Sequence, residues 1–210
     1  MRHIHPLQPI SMIILILVFL YLRKKKQAAT AAKAGPVTAR PAVVKTVKPE
    51  QPPEVVYANL RRKALAATPE IVGMSGSLQE DEPYGALMEM GISDSVVTLV
   101  CFADGEASLY YKSGGGMVGG SSHDSVRKAA KEFTGLAHKA LPQMTSAPGG
   151  DHPLPSDDKV RFYALTPQGI FTTETDRQAL AEPGNPLSAL FYGGQEVVTK
   201  MRQVQAQRAS

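Results

Sequence analysis

Ile10 to Leu22 reads ISMIILILVFLYL, uncharged and almost wholly apolar, and Arg23-Lys24-Lys25-Lys26 follows at once. Taken back to Leu7 the run has 16 residues, with Gln8 and Pro9 at its thin end. A comfortable membrane span needs about 20 residues and the lower range is about 17. Tyr21 and the basic cluster can reach to the interface and add effective length, and Pro9 falls near the first turn, where proline is tolerated. The expectation is an uncleaved, single-pass signal-anchor over residues 7–22. Two alternatives stand beside it. A cleaved signal peptide wants a basic start and small residues after the apolar run, whereas here the basic cluster follows directly. A buried or interfacial helix would have to end on four bases and a low-complexity tail.

Four bases follow the run and one, Arg2, precedes it. Positive residues favour the cytoplasmic side, so residues 1–6 are expected outside and everything after residue 22 in the cytoplasm, at an inner or plasma membrane. In a eukaryote the mitochondrial outer membrane is the organellar form of the same topology. The single cysteine, Cys101, suits a reducing compartment, and it excludes an internal disulfide framework.

The overall charge of +4 is uneven. Residues 1–26 carry +5, residues 27–56 carry +2, and residues 57–210 carry −3. A nucleic-acid reading wants a basic face or a known motif on the folded part, and Arg61-Arg62-Lys63 is the one basic triplet there. The expected partners are therefore the bilayer and a protein or a second copy, not nucleic acid. Residues 23–53 are basic, then rich in alanine and proline, with Pro36, Pro41, Pro49, Pro52 and Pro53. Such a segment builds no core and reads as a linker.

Residues 54–206 read as the folded domain, with 207–210 a tail. Glu54–Thr68 has Val56, Leu60 and Ala64, with Tyr57 and Leu65, on one helical face, and Arg61, Arg62 and Lys63 on others. Ser77 and Glu80 form a capping-box pattern. Pro83 opens a second short helix containing Leu87, Met88 and Met90 and ended by Gly91. Ser95–Ala103 and Glu106–Lys112 form a hairpin about Asp104-Gly105. Asp124–Leu141 carries the cleanest amphipathic stripe. Residues 142–158 form a surface loop. Lys159–Thr166 and Ile170–Glu174 make a second hairpin, and a last helix runs from about Leu187 to Val204, interrupted at Gly193-Gly194, a pair that kinks it or admits a neighbour closely.

Two hairpins and flanking helices predict an α+β domain with an antiparallel sheet of four or so strands. This order resembles the profilin-like and roadblock/longin-like modules in topology over residues 54–206. The resemblance implies dimerisation or protein binding rather than catalysis.

No motif points to chemistry. The glycine run from Gly114 to Gly120 lacks the following lysine of a phosphate loop and the parallel setting of a dinucleotide fold. Gly119, Gly120, Ser121 and Ser122 lead into a helix start, where free N–H groups can hold an anion. Close packing or a protein-binding loop are the other readings of the run. Ser122-His123-Asp124 are adjacent, not a spatial triad. No metal-ligand spacing appears among His123, His138 and Cys101. The expectation is no catalytic residue, no metal and no cofactor. The function expected is a membrane-tethered, non-enzymatic domain that recruits a protein partner, with Gly114, Gly115, Gly116, Met117, Tyr110, Tyr163 and Phe191 as its interaction candidates. The alternatives are an anion-binding regulatory domain using the Gly114–Ser122 loop, and a membrane-tethered enzyme of unrecognised class.

Overall fold

Strand-forming segments on both sides of one long helix meet in a single antiparallel sheet. A computed structural model describes residues 51–74, 78–147, 149–150 and 152–208, all within the unit Pro49–Ser210. The expected span over 7–22, most of the linker and Ser77 of the capping-box pattern lie outside the described residues. No helix among the described residues is long and apolar enough to cross a membrane.

The elements are α1 (Pro53–Leu65), β1 (Gly85–Ile92), β2 (Ser95–Phe102), β3 (Ala107–Tyr111), β4 (Gly116–Met117), α2 (Asp124–Ala140), β5 (Thr145–Ser146), β6 (Lys159–Thr166), β7 (Gly169–Asp176) and α3 (Ser188–Arg208). The sheet order is β4-β3-β2-β1-β6-β7-β5, with every pair antiparallel. The domain is thus α+β with seven strands and three helices among the described residues. The sheet exceeds four strands because β1 joins its centre and the two-residue strands β4 and β5 lie on its edges.

The segment expected as a second short helix is β1, the central strand. All eight of its residues are buried. Ala86, Met88, Met90 and Ile92 join the larger core, while Leu87 joins the smaller one on the other face. A strand covered on both sides shows no polar alternation, and methionine, leucine and glutamate are good helix formers. Local preference therefore pointed the wrong way, and tertiary burial overrides it. Ser93 and Asp94, both at positive φ, close the tight turn into β2.

Helices α2 and α3 cover one face. Val126, Ala129, Ala130, Phe133 and Ala137 of α2 meet Leu190, Val197, Val198 and Met201 of α3 over the sheet. Gly193 and Gly194 do not interrupt α3. A Cβ at Gly194 would lie 2.6 Å from Met88 Cε, and one at Gly193 would lie 2.6 Å from Leu136 Cδ1. The pair lets α3 approach both β1 and α2.

The opposite face is covered by α1, by Val72, Met74 and Leu78 between α1 and β1, and by His152 and Pro153 beside Tyr163. Ala64 and Leu65 pack on Leu87, Val100, Tyr163 and Leu165. The face of α1 is rotated from the expected one. Tyr57, Ala64 and Leu65 are buried, Val56 is 42% exposed, and Arg61 points inward. A guanidinium on the inner face is chosen because the sheet places a carboxylate beneath it.

Candidate functional site

That carboxylate is Glu89, in the middle of β1. Its neighbours in register are Thr98 on β2 and Arg161 on β6. Its side chain is fully buried. An isolated buried carboxylate would be costly, and here every oxygen is occupied. Arg61 Nε donates to Oε1 at 2.6 Å and Arg61 Nη2 to Oε2 at 2.8 Å. Thr98 Oγ1 donates to Oε1 at 3.0 Å. Since the single Thr98 proton goes to the carboxylate, the 2.8 Å contact between the Tyr57 and Thr98 hydroxyls has Tyr57 as donor. Arg61 Nη2 also donates to Tyr163 Oη at 3.0 Å, and the guanidinium lies 5.9 Å from the centre of that ring. Tyr163 meets the edge of His152 at 5.6 Å.

The electrostatics follow. Burial, and then the Glu89 charge, push the Tyr57 and Tyr163 hydroxyls up to about 12. Burial alone would lower the affinity of Arg61 for its proton. Its hydrogen bond to Glu89 and the Glu89 charge outweigh that and leave its pKa raised. Neither Glu89 oxygen faces open space, so the cluster offers no general base. Its evident action is to hold α1 on the sheet. Arg161 takes the other direction and forks onto Glu174 of β7 at 3.1 and 2.8 Å.

Beside the first turn of α1 lies a groove of about 460 Å³. One wall is Pro52, Pro53, Val56, Tyr57 and Leu60, and the other is Tyr110, Tyr111, Gly114 and Gly115, with Gln51 at the end. No lining side chain is charged. Gly114 has φ +100°, and a Cβ there would sit 3.0 Å from Pro53 Cβ. Glycine is required at that point for both conformation and space.

The remaining glycines border a smaller cavity of about 260 Å³, together with Val126, Met201 and Val204. Gly119 adopts the left-handed conformation before a 3-10 turn at Gly120–Ser122. The Ser121 hydroxyl donates to the Glu106 carboxylate, the Ser121 carbonyl accepts from Arg127 Nη1, and the Ser122 hydroxyl donates to the Gly119 carbonyl. The proposed anion cradle therefore has a carboxylate already against Ser121.

Of the residues expected on a contact surface, Tyr110, Gly114 and Gly115 come together in the groove. Gly116 and Met117 form β4 and border the smaller cavity. Tyr163 and Phe191 do not reach the surface, being 1% and 7% exposed. Tyr163 lies under α1 and the His152 loop, and Phe191 turns into the α2–α3 layer. Cys101 is buried in β2 as a free thiol, and burial pushes its pKa up. No group of three or more metal-ligating side chains converges among the described residues.

The cluster about Glu89 is not apparent from sequence reading. The available signals were a lone glutamate inside GALMEMGI and an arginine four residues after Tyr57 and three before Ala64, on the helical face that those residues share. No protein-family model, curated protein or solved structure matches the chain.

Proposed function

We propose that this chain is a single-pass membrane protein anchored by residues 7–22, whose cytoplasmic domain recruits a protein partner without catalysing a reaction. Residues 23–53 serve as the linker, and the layered domain is of the profilin-like or roadblock/longin-like kind. The observation that supports this reading is the uncharged, tyrosine- and proline-lined groove where the linker runs into α1. Aromatic rings and prolines give apolar contact at low entropic cost, and a surface without charges suits an uncharged, apolar segment of a protein. Tethering raises the local concentration of such a site, so modest affinity suffices.

Affinity capture from detergent-solubilised membranes tests the reading, with full-length protein compared against Val56→Glu and Tyr110→Ala variants. A partner held by the wild type and lost by both variants is expected. Identical captured sets from all three, with the variants folded, would refute it. A fractionation experiment tests the anchor: deleting residues 1–26 should move the protein from the membrane to the soluble fraction.

A further inference from the structure

We propose that α1 is an exchangeable strap: the cleft it fills, with Glu89 on its floor, accepts the same helix from a second copy of this chain. The sheet and the α2–α3 layer are built entirely from residues 85–208. Within α1, only Tyr57, Ala64 and Leu65 are buried, against seven residues of α2. Val55 and Val56 of α1 are 44% and 42% exposed. What holds α1 is directional. Two of its side chains make four hydrogen bonds, Tyr57 to Thr98, Arg61 twice to Glu89, and Arg61 to Tyr163. A buried ion pair gives little net stability over an apolar substitute, but it punishes any occupant lacking the partner charge. The floor therefore demands a helix with a guanidinium, a tyrosine four residues before it, and small and apolar residues three and four after it. A second copy presents that pattern in its own α1. Exchange of an identical element is a low-cost route to a dimer. Here α1 precedes the rest of the fold, and 19 residues of chain separate Leu65 at its end from Gly85 at the start of β1.

This goes beyond recruitment through the groove and uses the inner face of α1, which shares Tyr57 with the groove wall. Purified full-length chains carrying Arg61→Ala and Glu89→Ala are tested alone, and then mixed and refolded together in detergent. Alone, each variant keeps one unpaired charge. A crossed pair restores one complete Arg61–Glu89 clasp and leaves the second cleft free of both charges. The expected result is a species of two unlike chains, seen by native mass spectrometry. Its melting temperature should exceed that of either variant, and the Arg61→Ala/Glu89→Ala double variant should gain nothing on mixing. A mixture that stays the sum of its parts overturns the proposal. Should the variants fail to fold, wild-type chain is titrated with a fluorescent peptide of residues 53–67. Binding of that peptide and rejection of its Arg61→Ala form are expected, and equal binding or none overturns the exchange. Loss of capture through the groove with exchange intact, or the reverse, separates the two readings.

Discussion

Truncating either member of the Arg61–Glu89 pair should cost the fold more than any other single polar change in the domain. The pair joins a side chain that is 13% exposed to one that is fully buried, at 2.6 and 2.8 Å. Removing one partner of such a pair costs about 3–5 kcal/mol, because the other is left charged and unpaired. The two truncations should not be equal. After Glu89→Ala, Arg61 can turn its long side chain toward the water it already touches. After Arg61→Ala, Glu89 keeps only Thr98, and Arg61→Ala should therefore be the costlier. For a domain of this size, about 4 kcal/mol corresponds to a loss of roughly 10 °C in melting temperature. Replacing both residues by apolar ones, Arg61→Met with Glu89→Leu, removes both charges together and should cost far less than the two truncations summed. The assay is urea unfolding followed by circular dichroism on these proteins and on the Arg61→Ala/Glu89→Ala variant, which closes the cycle that gives the coupling. A coupling near zero, or an Arg61→Ala cost under about 1 kcal/mol, would refute the buried pairing, since those are the values of a solvated surface pair.

Gly91→Ala places its Cβ 1.9 Å from the Ser156 carbonyl oxygen, a backbone atom. The loop must lift, and overpacking of this kind costs about 1–3 kcal/mol; denaturant midpoints and faster proteolysis near residues 151–158 check it. Tyr57 and Tyr163 have folded-state values raised to about 12, above the ordinary 10. The folded state thus holds these protons more tightly, so their contribution is complete below pH 10 and is lost as pH rises toward 12. Burial also raises Tyr84, so phenolate absorbance should show at least two tyrosines ionising late or together with unfolding, and all seven tyrosines titrating near 10 in the folded protein would contradict their burial.

The parts of the fold that one face of sequence pattern can encode were legible. Helix α2 shows a clear stripe, and the β2–β3 and β6–β7 hairpins show β-branched or alternating strands about turn residues. What failed were the elements that meet on the second face. β1 is buried on both sides, so its residues carry no period to distinguish strand from helix. The inner face of α1 carries an arginine, and a rule that places charge outward turns that helix by about one residue. Both errors have one cause. Glu89 and Arg61 are each out of place alone and satisfied only by one another, 28 residues apart. The groove was half visible. Tyr110 and the first glycines were expected at a surface, but their opposing wall depends on how α1 sits.

That dependence ties the two proposed surfaces together. Pro52, Pro53, Val56, Tyr57 and Leu60 form one wall of the groove, so the groove exists only while α1 lies in a cleft. Tyr57 belongs to both sites, since it lines the groove and its hydroxyl donates to Thr98. A ligand that needs the docked wall must stabilise docking by the same free energy that docking lends to its binding. A groove ligand therefore opposes the open intermediate through which α1 would cross, and it slows exchange between copies. The same linkage makes Arg61, which does not line the groove, a control on it, because loosening α1 lowers the fraction of chains with a formed wall and weakens the apparent affinity in proportion.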